Sequence, residues 1–578
     1  MTYQITLPCH KVATIQNTDI DVKLVHQQLQ FNYIGLHNAP IHERYQLCQV
    51  PCDAESSSVL LGDGFQMLSQ CRGTLTQVEE IGRCPDNNSS YRIYGQNDPK
   101  RFYNTLVIEE ADSFVLFGFT SCHRFAGYFE IEETEQGRVI AAYIDGEHTY
   151  PQDWTNSELE SVAVLEADSL ANLYQQYAQL IQANHPPRPH VRSEAPVGWC
   201  SWYAYYAEVT QDNVIQNLDA MRGDLDPLEW VLLDDGYQAF MGDWLDPSDK
   251  FSSGVKGLIQ EIKRKGKRPA IWLAPFIAQP ESNVFRQHPD WFVKTDHGDL
   301  LKAEDITYGG WRCTPWYILD TSNPEVQDHL IRVLRTMREE WGVELFKLDA
   351  NYWGTLKGVR YQSGVTGVQA YRMGMQAIAD GVGDGWILGC NAPMWPSLGT
   401  VDAMRVSDDV ERHPERFRQI ALETFYRSWQ HRQLWQIDPD CITLVSLPNQ
   451  GTERQYYDFH RTVILASGGL MLSGDPLPEL TPFATHTWQK LMVRQKHSQA
   501  AASFRSLSMN HAFLSLSEKN DLHCLFNYDD TPFTMTLTSS SPVHWYDYWT
   551  GERLTEERLQ VLEIALDAGL SSRAIVTA

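Results

Sequence analysis

Val343-Glu344-Leu345-Phe346-Lys347-Leu348-Asp349-Ala350-Asn351 decides how the chain is read. A helix precedes it. Ser322 or Asn323 can cap that helix, Pro324 suits its first turn, and Val326, Leu330, Leu334 and Met337 recur every three to four residues until Gly342. The stretch then switches to period two. Val343, Leu345, Lys347 and Asp349 share one side, and Glu344, Phe346 and Leu348 share the other. A strand therefore carries Lys347 and Asp349 to its C-terminal end. Charges are depleted in strand interiors unless paired. A structural Lys–Asp ion pair and a catalytic carboxylate fit this strand equally well, and the rest of the chain tips the balance.

Outward from this strand, residues 195–490 alternate short apolar strands with helices such as Pro414–Trp429 and Tyr456–Ala466. Eight strands are expected: Val197–Tyr203, Trp230–Asp235, Pro269–Pro275, Val343–Asp349, Trp386–Cys390, Ala403–Ser407, Cys441–Val445 and Leu470–Ser473. Eight such units in roughly 300 residues predict a (β/α)8 TIM barrel. A doubly wound sheet would show a Gly-rich first turn, and none follows Tyr203.

Residues before about 165 read as short strands, such as Asn104–Ile108 and Ser113–Phe119, and predict a β-sandwich. A helix carrying Leu170, Leu173, Tyr174 and Tyr177 follows, and His185-Pro186-Pro187-Arg188-Pro189 reads as a stiff linker. Past about 500, His523–Asn527 and His544–Trp549 suggest a small antiparallel domain. The fold class is α/β, with expected domains at 1–190, 191–497 and 498–578.

Composition narrows the function. A net charge of −27 argues against nucleic acid and anionic membranes. The 11 Cys are scattered without zinc spacing, so neither a metal nor a cofactor is expected, and a reducing compartment is. No signal peptide or 18-residue apolar run is visible, which makes the cytoplasm the default. A homo-oligomer stays open.

In a barrel, catalytic groups sit at the C-terminal strand ends. Those ends carry Trp202 and Tyr203, Asp234 and Asp235, Trp272, Lys347 and Asp349, Cys390 and Asn391, and then Arg405, Asp408 and Asp409. Any one of them could be structural; Asp234-Asp235 could cap a helix. Carboxylates with Trp faces and no metal triad suit glycoside chemistry, in which one carboxyl group attacks or activates water and another protonates the leaving oxygen. No Ser-His-Asp elbow or phosphate-binding loop competes.

These motifs resemble the α-galactosidases of glycoside hydrolase family 36, in clan D. They are Cys200-Ser201-Trp202-Tyr203, Asp234-Asp235-Gly236-Tyr237 with Gly242-Asp243-Trp244, Ile271-Trp272-Leu273-Ala274-Pro275-Phe276, His288-Pro289-Asp290-Trp291, Lys347-Leu348-Asp349, Leu388-Gly389-Cys390-Asn391-Ala392-Pro393, and Asp402-Ala403-Met404-Arg405 with Asp409. The resemblance implies a retaining enzyme that removes terminal α-galactose from small oligosaccharides such as melibiose or raffinose. It makes Asp349 the nucleophile and Asp409 the acid/base, with Asp408 as the fallback. It assigns Asp234 and Asp235 to the sugar's 6- and 4-hydroxyls and Trp272 to its face. Lys347 and Arg405 become hydroxyl donors, and Cys390 the wall near the 2-hydroxyl; Trp202 and Tyr203 join the sugar-binding set. A galactosyl transferase of the raffinose-synthase type and a catalytically silent carbohydrate-binding protein are the alternatives. Two stretches depart from the family: Val410-Glu411-Arg412-His413-Pro414 after Asp409, and Gly64–Leu68, where Phe65 or Leu68 stands in place of an overhanging Trp.

Overall fold

The computed structural model describes residues 3–36, 39–517 and 520–578. Its centre is an eight-stranded parallel sheet of Val197–Cys200, Trp230–Leu233, Arg268–Leu273, Leu345–Leu348, Trp386–Gly389, Ala403–Arg405, Gln436–Asp438 and Met471–Ser473. Neighbours in the sheet follow chain order, and the eighth strand pairs with the first. The Leu470 N–H also donates to the Ile437 carbonyl at 3.0 Å, which closes the ring into a TIM barrel with helices between its strands.

Seven of the eight strands lie where the sequence predicts them. The seventh does not: Gln436–Asp438 takes the place expected of Cys441–Val445. The β-branched run Ile442-Thr443 advertises a strand, whereas Gln436 and Asp438 do not. Gln436 is nonetheless fully buried, because its Nε2 donates to the carbonyls of His190 and Ser193 at 3.1 and 2.8 Å.

The expected alternation of the Lys347 strand appears as burial on both faces, Lys347 included. That is the fate of a parallel strand covered by helices outside and core inside. The helix before it runs Pro324–Arg335, with the Asn323 side chain accepting from the Glu325 N–H at 3.0 Å. It widens into a π-turn over Thr336–Trp341 and ends at Gly342, whose φ of +90° suits glycine.

The N-terminal region is a thirteen-stranded antiparallel sheet folded as a sandwich. The helix Leu170–Asn184 packs on it through Leu170, Leu173, Tyr174 and Tyr177. The Pro-rich segment is no free tether: His185 is buried and accepts the Cys122 N–H, and Arg188 pairs with buried Asp402 at 2.9 Å. The C-terminal strands form a five-stranded and a two-stranded antiparallel sheet around Leu525, Leu537, Trp545 and Ile575. By compactness the chain divides into Met1–Pro189 with Tyr237–Gln260 and Ile271–Met404, and His190–Gly236 with Glu261–Ala270 and Arg405–Ala578.

Candidate active site

In the first unit the site is built around Asp349, the residue just past the fourth barrel strand. Its Oδ2 accepts the Trp272 indole N–H at 3.0 Å, and its Oδ1 accepts Asn391 Nδ2 at 2.8 Å and the Ala350 N–H at 2.7 Å. An ionised carboxylate only accepts, and three donors meet that need. Two residues beside it have left-handed backbones, Ala350 with φ +53° and Asn391 with φ +40°. Such conformations cost a non-glycine residue free energy and concentrate where geometry is imposed by function. They turn the chain so that the Ala350 N–H and the Asn391 amide both point at Asp349. The Tyr352 N–H then donates to the Asn391 carbonyl at 2.6 Å, tying the ends of strands four and five together.

Trp272 is buried between Trp244 and Trp311, with ring centroids 5.9 and 6.4 Å away. Lys347 on strand four and Cys390 just past strand five are buried. Phe65 and Leu68 are buried as well. Phe65 packs edge-on against Tyr103 and Tyr352, while the Met67 N–H donates to the Ala392 carbonyl at 3.1 Å and the Met394 N–H to the Phe65 carbonyl at 2.8 Å.

In the second unit, Asp234 and Asp235 follow the second barrel strand and are both buried. The Ser201 hydroxyl accepts the Asp234 N–H at 2.9 Å; Asp234 Oδ1 accepts the Asp235 N–H at 2.8 Å, and its Oδ2 lies 3.5 Å from the Cys200 thiol. Gly236 takes φ +120°, and a Cβ there would meet the Ala207 carbonyl oxygen at 2.6 Å, so the Asp-Asp-Gly turn requires glycine. Trp202 is half-buried against Tyr206, and Tyr203 is buried.

The same unit separates Asp408 from Asp409. Asp408 is 3% exposed, pairs with Arg416 and accepts the Gln419 amide at 3.2 Å, while its own N–H donates to Glu423. Burial, and then the Asp408 charge, push Glu423 up to about 7. Asp408 is thus built into the interior. The Asp409 side chain is 47% exposed and accepts from Arg405 Nη2 at 2.8 Å. Asp440, absent from the sequence-based candidates, accepts from the same nitrogen at 2.8 Å and from the Tyr203 hydroxyl at 2.5 Å. The departing stretch after Asp409 is anchored by Arg412, which reaches Asp475 and the Val445 carbonyl at 2.8 and 2.7 Å. Among the described residues, no group of three or more His, Cys, Asp or Glu could hold a metal ion, and no helix is long and apolar enough to cross a membrane.

The Melibiase family profile matches residues 156–382. The α-galactosidase of Escherichia coli is 24% identical over 244 residues, 41% of this chain and 33% of its own length. The chain spans a quarter to a third of the length of the first curated relatives it matches. Among solved structures, the α-galactosidase TtGalA of Thermus thermophilus, in complex with p-nitrophenyl α-D-galactopyranoside, superposes with a TM-score of 0.66 at 19% identity, covering 86% of this chain and 95% of that one. The family 36 α-galactosidase AgaA of Geobacillus stearothermophilus gives 0.63 at 14% identity, covering 98% and 82%. The Thermus protein was also solved with stachyose, and a variant of the Geobacillus protein with raffinose. Taken with the motifs, these likenesses make the chain a distant homologue of the α-galactosidases of the Melibiase family, glycoside hydrolase family 36.

Proposed function

We propose that the protein is a retaining α-galactosidase that releases terminal α-linked galactose from small oligosaccharides of the melibiose or raffinose kind. The observation that carries this reading is the clasped carboxylate of Asp349, held by Trp272, Asn391 and Ala350 at the end of a barrel strand. Asp349 Oδ2 has one donor against two on Oδ1, so it keeps a lone pair for attack on the anomeric carbon. The bond from C1 to the glycosidic oxygen breaks as the bond from C1 to Oδ2 forms, and Asp409 gives its proton to the departing oxygen. Asp409 then takes a proton from water, whose oxygen displaces Asp349 from C1. Two inversions leave the released sugar in the α configuration. Asp234 and Asp235 are assigned to the sugar's 6- and 4-hydroxyls, Lys347 and Arg405 to donors for others, and Cys390, Trp202, Tyr203 and Trp272 to the remaining sugar-binding set. A glucoside's equatorial 4-hydroxyl would leave one buried carboxylate unpaired, and a site built to bind a hydroxyl rejects a sugar lacking it there by roughly 10⁴.

The test compares nitrophenyl α-galactoside with nitrophenyl α-glucoside and follows the first-formed anomer by NMR. The expected result is a large galactoside preference with α-galactose appearing first. Comparable rates on the two sugars would remove the galactoside assignment, and β-galactose first would remove the double displacement.

A further inference from the structure

The geometry points to Asp440 as a positioning residue for the general acid: by sharing Arg405 with Asp409, it keeps the guanidinium from drawing off the proton that Asp409 must deliver. The inference rests on Asp409 being the acid/base.

A general acid beside an arginine poses a problem. A guanidinium at 2.8 Å favours the ionised carboxylate, yet the acid must hold a proton when substrate binds. The arrangement here answers it. Arg405 Nη2 carries two hydrogens and directs one to Asp409 and the other to Asp440, both at 2.8 Å. Arg405 and Asp440 have side chains only 1% and 3% exposed, whereas Asp409 is 47% exposed. The buried pair is the stronger partnership, because water screens the exposed one.

Asp440 is also built to be an acceptor. Its Oδ2 takes the Tyr203 hydroxyl at 2.5 Å and the Val410 N–H at 2.6 Å in addition to Arg405. Its backbone sits in the left-handed region, φ +73°, and its N–H donates to Asp438 at 3.0 Å. A residue with a Cβ held there carries strain that the surrounding contacts must offset. The charged and titratable groups facing it are Arg405, Asp409, Asp438, Tyr203 and Cys441, with Cys200 behind Cys441. Burial raises Asp440 and the Arg405 charge opposes the rise, while the three donors on its Oδ2 favour the carboxylate form. Tyr203 is pushed well above its ordinary value by burial and then by the charges of Asp409 and Asp440, so it stays a donor.

The experiment is the pH profile of kcat/KM for Asp440→Asn, which keeps the size and the tolerance for the left-handed backbone. It is read on raffinose, which needs a proton on its leaving oxygen, and on a dinitrophenyl α-galactoside, which does not. With the Asp440 charge removed, Arg405 Nη2 no longer divides its pull between two carboxylates. The basic limb on raffinose should move down by about one pH unit or more, with loss on the order of tenfold above neutrality and little loss near pH 5. The dinitrophenyl profile should keep its shape. A basic limb that stays put, with activity lost equally at every pH, would mean that Asp440 only supports the fold and would overturn the inference. If Asp440→Asn does not fold, Asp440→Ser, which also removes the charge, must move the same limb the same way; an unmoved limb overturns the inference equally. Asp409→Ala separates the two readings. If it fails to hurt raffinose more than the dinitrophenyl substrate, the acid assignment itself has failed.

Discussion

Asp349 and Asp409 are held in opposite ways. Asp349 is buried and clasped by three donors, none of them charged, two of which come from strand ends with left-handed backbones. Asp409 is half-exposed, and Arg405, which donates to it, is shared with another carboxylate. The contrast follows the chemistry proposed for each. A nucleophile must meet the anomeric carbon at one position and needs no proton traffic. An acid/base must exchange protons with water and reach leaving groups of varied shape. Rigidity at one carboxylate and access at the other are what a double displacement asks for.

The largest expected effect is at the rigid carboxylate. Asp349→Ala should lower kcat by about 10⁴-fold, or ~5 kcal/mol, with folding intact, and azide should restore part of the turnover by entering the vacated space. Circular dichroism with steady-state kinetics checks it. A variant retaining more than about a hundredth of wild-type kcat would remove Asp349 from the role.

At the exposed carboxylate the effect should depend on the leaving group. Asp409→Ala should cost roughly 10²–10⁴ on raffinose and much less on a nitrophenyl galactoside. Asp408→Ala should instead lose stability, because Asp408 pairs with Arg416 and Gln419 in the interior. If the leaving-group pattern appears in Asp408→Ala and not in Asp409→Ala, the comparison is inverted.

How much of this was legible in the sequence divides along the same line. Asp349 could be read because its strand, the helix before it and its neighbour Lys347 are local in the chain. The choice of Asp409 over Asp408 could not be read from spacing. It depends on Arg416 and Glu423, whose helix turns back on Asp408. Asp440 was invisible for a related reason. Asp438-Pro439-Asp440 reads as an ordinary turn, and only the left-handed backbone brings its carboxylate to Arg405, thirty-five residues away. The displaced seventh strand obscured that stretch further, since polar Gln436 and Asp438 give no strand signal.

The stretch that departs from the family offers a test of structure alone. Arg412 and Asp475 have side chains 1% and 0% exposed and pair at 2.8 Å, and Asp475 also accepts the Leu444 N–H at 2.6 Å. Removing one partner of a buried pair leaves an uncompensated charge. Arg412→Ala should therefore lose about 3 kcal/mol in urea or thermal unfolding. A loss below about 1 kcal/mol would mean that this anchor is relaxed in solution, and with it the half of the comparison that concerns Asp409's own loop.

The smallest expected effect bears most directly on rigidity. Ala350 sits at φ +53°, ψ +28°, where a Cβ costs roughly 1–2 kcal/mol. Ala350→Gly removes that cost but gives the unfolded chain more freedom, worth about 0.4–1 kcal/mol. The net change in stability should be within ~1 kcal/mol and favourable if anything. If the strain serves only the turn, kcat should not change. If it serves Asp349, glycine will let the 350 N–H wander from Oδ1, and kcat on a nitrophenyl galactoside should fall several-fold while the melting temperature holds or rises. A stability gain with a kcat loss separates function from folding at one position, because the two responses then have opposite signs. A stability gain with unchanged kcat would show that the donors from Trp272 and Asn391 suffice, and that the left-handed turn at Ala350 contributes nothing to the nucleophile's aim.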